Sequence, residues 1–227
     1  DGWMSIGEMT AYGAAWKRGG AWPIAPTPVP LSFLTRAIQL WENGETYRFD
    51  TNFAIAPQWW IAAPTNHLSA VTPAPGFPTN AVATNGDAVS AMPKTYQPGV
   101  PFTVTLTITP ATNVVVYAVE EQAPEGWPVS AIDGGGGVDA ARRKVKWGPF
   151  FDSATRTFTY QVTPTADASG PGRFRGLGAF YGQIGVLAGR RQIFLESETN
   201  APTLGAGKVS ADGALQLALT GLGGEAY

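Results

Sequence analysis

Between Phe102 and Thr109 the chain alternates without a break. Phe102, Val104, Leu106 and Ile108 fall on one side, and Thr103, Thr105, Thr107 and Thr109 on the other. A period of two is the mark of a half-buried strand. Further strands are predicted at "NVVVYAVEE", "GWPVSAID", "RKVKWGPF", "RTFTYQVTP" and "GRFRGLGAFYG", and the breaks between them carry Gly, Pro, Asp or Asn. Many short strands punctuated in this way predict an antiparallel β-sandwich over residues 96–195.

Before this region the period is helical. In "MSIGEMTAYGAAWKRGG" the residues Met4, Met9, Tyr12 and Trp16 recur at helical intervals, and Lys17, Arg18 and Gly19-Gly20 supply a helix ending. A proline-punctuated connector, "WPIAPTPVPLS", leads to a second short helix. There Ser32 is the expected cap, Leu34, Ile38 and Trp41 form the apolar stripe, and Asn43-Gly44 close the helix. The chain therefore divides into a small helical region at 1–50, a Pro/Ala/Asn-rich linker at 51–95, the sandwich at 96–195 and a C-terminal strand region at 196–227. In that last region Leu215, Leu217 and Leu219 share one face with no evident partner strand, as if a further β domain began there. Both ends read as cuts through a longer polypeptide.

Composition supports a mainly β chain. Among 227 residues there are 28 Gly and 19 Pro, too many for a helical protein. With 14% charged residues, a net charge of −2 and no basic stripe, nucleic acid is not an expected partner. No apolar run reaches the roughly 18 residues of a transmembrane helix. The absence of Cys excludes disulfides, thiolate metal sites and thiol nucleophiles.

The opening "DGWMSIGE" fits the second half of a calcium loop. Asp1 takes the fifth position, Gly2 the sharp turn at the sixth, Trp3 the backbone-carbonyl position, Ser5 the ninth and Glu8 the twelfth. A hard cation takes about six to eight oxygens, and this half supplies fewer. The other reading is a helix start in which Glu8 complements the helix dipole. Calcium is thus the one cofactor the residues suggest, through Asp1, Trp3, Ser5 and Glu8.

Two stretches resemble known families. "DGWMSIGEMTAYGAAWKRG…WP…TRAIQLWENGETYRFD" is similar to the dockerin-like, calcium-loop-bearing segments of large bacterial extracellular proteins, although no second loop follows. "YAVEEQAPEGWPVSAID…VKWGPFFDSATRTFTYQVTP" resembles the repeat-type Ig-like domains that accompany them, with Trp127, Trp147, Pro149, Phe150 and Tyr160 in the family's order. Together the matches cover about residues 1–50 and 96–182. The resemblance implies an Ig-like fold and secretion to an extracellular, cell-surface or periplasm-facing location. It also implies a structural role without catalysis.

Candidate chemistry is sparse. His67, the one histidine, lies in the linker with no nucleophile motif near it. Glu120 and Glu121 are neighbours on one strand, so they face opposite ways and cannot flank one glycosidic bond; a charged strand end is expected. "DGGGGVD" reads as a hairpin loop in which Asp133 and Asp139 could at most share a cation, and Arg142–Lys144 read as a solvated basic patch. Trp127 and Trp147 read as core. Trp59, Trp60, Phe180 and Tyr181 are the candidate partner-binding aromatics, either as interface anchors on other protein chains or as stacking faces for a polysaccharide. The expected function is a non-enzymatic spacer, adhesin segment or accessory subunit of a surface assembly, with a carbohydrate-binding module as the alternative.

Overall fold

The computed structural model describes residues 2–20, 22–23, 26–53, 55–63 and 85–196, together with the backbone of four short strand segments between 203 and 220. Helix α1 spans Ile6–Arg18 and α2 spans Leu31–Glu42, followed by a hairpin of β1 (Tyr47–Phe49) and β2 (Trp60–Ala62). The strands after it are β3 (Gly86–Ala91), β4 (Thr95–Tyr96), β5 (Phe102–Pro110), β6 (Tyr117–Gln122) and β7 (Val129–Ser130). Next come β8 (Gly137–Asp139), β9 (Lys144–Phe150), β10 (Arg156–Val162), β11 (Gly172–Arg173) and β12 (Arg175–Phe180). Last are β13 (Gln183–Val186), β14 (Ala188–Gly189) and β15 (Gln192–Leu195).

Two five-stranded sheets form an Ig-like sandwich, in the orders β14-β3-β5-β10-β7 and β13-β12-β6-β9-β8. A third, three-stranded sheet has the order β11-β15-β4. Pairing is antiparallel except for β14 with β3 and β15 with β4, which run parallel. The inner face holds Val104, Leu106 and Ile108 from β5, as the alternation requires, packed with Val119, Trp147, Phe158 and Tyr160. Trp147 stacks on Phe158 with centroids 5.5 Å apart, and Trp127 sets its edge against Tyr96.

Strand β3 lies inside the stretch expected to be linker. It pairs with β5 along its whole length, Gly86 with Pro110 through Ala91 with Thr105. Its buried positions are Ala88 and Ser90, small residues that leave little hydrophobic period to detect. The C-terminal alternation also finds its partner within the chain: Thr203–Leu204 pairs with Leu219–Thr220, and Lys208–Val209 with Leu215–Gln216. Short two-residue pairings separated by Gly do not announce themselves as a hairpin in sequence. His67 lies outside the described residues.

The helices begin and end largely as their sequences dictate. Ser5 Oγ accepts from the Glu8 backbone N–H, Glu8 Oε2 accepts from the Ser5 backbone N–H, and Gly19 ends α1 in the left-handed conformation. Helix α2 differs from expectation: its cap is Pro30, and Ser32 lies inside the first turn without a capping bond. Both helices lie on the outer face of the β13-β12-β6-β9-β8 sheet, where Ile6, Met9 and Trp41 pack on Ala118, Leu177 and Ala179. The approach is close: a Cβ at Gly7 would meet Ile184 Cδ1 at 2.7 Å.

Strand β6 therefore buries both faces, and the charged strand end expected at Glu120 and Glu121 is buried. Tyr117, Val119 and Glu121 face the sandwich core, while Ala118 and Glu120 face the helices. Glu121 crosses the core to accept a hydrogen bond from Tyr160 Oη at 2.8 Å, with Ser90 and Arg191 also facing it. Burial pushes its carboxyl up to about 7, against the hydrogen bonds and the Arg191 charge that lower it. A carboxyl whose folded value lies above its unfolded one binds more protons when folded, so stability falls as pH rises from about 4.5 to about 7. Glu121→Gln is expected to remove this slope and gain about 3 kcal/mol over the wild type at pH 8 relative to pH 4. Chemical denaturation of both proteins across that range measures it; parallel pH profiles would reject the assignment.

Candidate functional site

The residues proposed from sequence scatter, but three of them meet. Trp3, Glu8 and Trp60 line a cleft of about 500 Å³ between the two helices and the β1–β2 hairpin. Tyr12, Trp22, Phe33 and Tyr47 complete its aromatic wall. The rings brace one another edge to face, Tyr12 against Trp22 at 5.0 Å and Tyr47 against Trp60 at 5.4 Å. Arg36 on α2 lies at the rim, its Nε donating to the Trp60 carbonyl and its Nη1 to Gln39 Oε1. Burial raises the Tyr12 and Tyr47 hydroxyls above their ordinary range, so both remain neutral donors at physiological pH.

The hairpin that carries Trp60 continues the apolar surface outward. Phe49, Phe53, Ile55 and Trp60 are 49%, 46%, 72% and 37% exposed. Trp59 is half-buried, its ring tilted against Phe49 at 5.4 Å. Isolated exposed apolar residues need no explanation; here four lie within one short hairpin, and the rings of Phe49 and Trp60 are in contact.

The other candidates have structural partners. Phe180 is buried in the core, stacked on Tyr117, and is not available to a partner: it occupies an inward position of β12. Tyr181, next to it, turns outward in a left-handed backbone (φ 54°) and carries the Arg18 guanidinium 4.1 Å over its ring. Asp1 lies outside the described residues. Trp3 bridges to Thr46 and is covered by the Arg142 guanidinium at 4.1 Å. Ser5 Oγ and Glu8 Oε2 are engaged with each other in the helix cap. Among the described residues there is no group of three or more histidine, aspartate or glutamate side chains placed to hold a metal ion. Asp133 holds the Thr159 backbone and hydroxyl, while Asp139 faces Lys146, so the two aspartates do not converge.

Beneath the helices lies a cluster that the sequence did not reveal. Lys144 and Lys146, alternate residues of β9, point to the outer face because Val145 and Trp147 fill the core. Lys144 Nζ donates to Glu120 Oε1 at 2.7 Å and Glu45 Oε1 at 2.8 Å. Lys146 Nζ reaches Asp139 Oδ2 at 2.6 Å and Glu45 Oε1 at 2.9 Å, and donates to the Trp41 carbonyl. Glu45, 1% exposed, enters from the turn after α2 in a left-handed backbone (φ 66°). Such a conformation is strained for a residue with a side chain. Burial works to raise its carboxyl, but Lys144 and Lys146 outweigh that and hold it below the ordinary range. Burial raises Glu120, more than the lysines lower it. The expected solvated patch thus splits: Lys144 is half-buried, its side chain 12% exposed, Arg142 covers Trp3, and Arg143 pairs at the surface with Glu125. Two lysines spaced by one residue on an apolar strand were the available signal; Asp139 is only seven residues from Lys146, but Glu120 and Glu45 lie 24 and 99 residues from Lys144.

No family model matches the chain, and no curated protein matches it significantly. Among solved structures, the CARDB domain of a Pyrococcus furiosus protein in complex with di-metal ions aligns with 55% of this chain and 99% of its own. Its sequence identity is 12% and its TM-score 0.31. The chitin-binding domain of Chi18aC from Streptomyces coelicolor aligns with 39% of this chain and 90% of its own, at 19% identity and a TM-score of 0.25. Both likenesses are too distant to say anything of this chain's ligand.

Glu8→Ala is expected to cost about 1 kcal/mol of stability by opening the helix cap. The loss should be the same in calcium and in chelator. A loss confined to calcium in thermal melts would return Glu8 to an ion-binding loop.

Proposed function

We propose that the chain is a non-enzymatic binding and scaffolding part of an extracellular, cell-surface or periplasm-facing assembly, acting as a spacer, adhesin segment or accessory subunit. It engages another protein chain through the aromatic cleft and the exposed face of the β1–β2 hairpin. The observation that carries this reading is the continuity of the two. Trp60 belongs both to the cleft wall and to the apolar hairpin, where it stands beside Phe49.

The polar chemistry of the cleft supports a protein partner. Glu8 is used by the helix cap and Arg36 by the Trp60 carbonyl and Gln39. What remains for a ligand is mostly ring surface, which suits an apolar anchor inserted from a partner. The flat faces of Trp22 and Trp60 support the second reading, a polysaccharide stacked along the wall.

Cross-linking from position 60 on the native surface identifies the partner, and titration of the purified pair tests the cleft. Trp60→Ala is expected to weaken that complex about 30-fold, the effect of losing an anchor worth about 2 kcal/mol, with little change in melting temperature. Glycan-array binding lost in the same variant would select the polysaccharide instead. Unchanged affinity in both assays would remove the cleft as the binding face.

A further inference from the structure

The geometry points to a covalent cross-link: Lys146 and Asp139 condense to an intramolecular amide that ties β8 to β9 beneath Trp41. The nucleophile, the acceptor and a proton carrier are already in contact. Lys146 Nζ is 2.6 Å from Asp139 Oδ2 and 2.9 Å from Glu45 Oε1. The three side chains are 3%, 1% and 2% exposed, so little bulk water competes for the acyl carbon.

Asp139 is also prepared as an acceptor. Its other oxygen, Oδ1, receives the backbone N–H groups of Ala141 and Arg142, at 3.1 Å each. Two fixed backbone donors on one carboxyl oxygen are what stabilises a developing oxyanion. Glu120, the partner of Lys144, instead has the Trp41 indole N–H on its second oxygen at 3.3 Å. The backbone pair selects Asp139 as the reactive carboxyl.

The reaction balances without any further reagent. A proton passes from the Lys146 ammonium to Asp139 Oδ2, giving a neutral amine beside a carboxylic acid. Removing two opposite charges in a dry site offsets part of their desolvation cost. The amine lone pair then attacks Asp139 Cγ, and the oxyanion forms on Oδ1 against the two backbone donors. Glu45, held ionised by the two lysines, takes the excess proton from the nitrogen. It returns that proton to Oδ2 as the C–Oδ2 bond breaks, and one water leaves. Oδ1 becomes the amide carbonyl and Glu45 ends as it began, a relay held in place by its strained backbone. Nothing is oxidised or reduced, and fixed contact replaces the encounter that would otherwise limit the step.

The product would seal a vulnerable place. Strand β8 is the edge of its sheet and pairs with β9 over three residue pairs. An amide from Asp139 to Lys146 fastens that edge where the helices and Glu45 sit on it, and an edge so fixed is less open to pairing with other chains.

Intact mass of the full chain, purified under denaturing conditions, tests the proposal. The wild type is expected to be lighter than its sequence by one water. After tryptic cleavage at Arg142, Arg143 and Lys144, the peptides carrying Asp139 and Lys146 should remain joined, as tandem mass spectrometry will show. Asp139→Asn should lose ammonia in place of water, Lys146→Arg should keep its full mass, and Glu45→Gln should remain largely unlinked. A wild type of full mass would overturn the proposal and leave an ion pair. So would a lighter wild type whose two peptides separate, because the water would then have been lost elsewhere.

Discussion

The rest of the structure depends on a sheet that must bury both of its faces. In β6, Tyr117, Val119 and Glu121 enter the sandwich, and Ala118 and Glu120 lie under the helices. An ordinary sandwich leaves the outer face of each sheet to water. Here α1 and α2 occupy that face, with Trp41 fully buried against it. The strand can serve both sides because its alternation holds apolar and ionisable residues together, each in a different environment.

Covering that face traps charge. Glu45, Glu120, Asp139, Lys144 and Lys146 lose water together, and a buried ionic cluster is seldom a net source of stability. Its value lies in placement. The carboxylate of Glu45 fits only if the turn after α2 sits directly over β9, and the left-handed backbone at Glu45 shows how firmly that turn is held. The cluster therefore registers the helical region on the sandwich. It also brings an amine, a carboxyl and a proton relay into contact in a dry place, the condition under which amide formation becomes an intramolecular event.

The same registration shapes the cleft. With α1, α2 and the β1–β2 hairpin fixed, Trp3, Tyr12, Trp22, Tyr47 and Trp60 converge from separate parts of the first sixty residues. None of them was placed by its own neighbours in sequence. Tyr12 belongs to a helix whose opposite side buries Ile6 and Met9, and Trp22 to a proline-punctuated connector. A ring left over after the core is filled becomes wall.

What the sequence by itself determined is local and periodic. The alternation of β5, the start and end of α1 and the mainly β sandwich follow from side-chain period and backbone capping, which act between near neighbours. The tertiary structure decided whatever needed distant partners. Strand β3 is held by pairing with β5, although Ala88 and Ser90 give it almost no hydrophobic signal. Phe180, which reads as a surface anchor in "FRGLGAFYG", turns inward because the register of β12 on β6 sets it opposite Tyr117. The "RRK" patch was divided between surface and interior by the helices that settle over β9. Period and capping are properties of a few consecutive residues; burial, charge pairing and reactivity belong to contacts between separate segments, seven residues apart for Lys146 and Asp139 and 99 for Lys144 and Glu45, and only the fold brings those together.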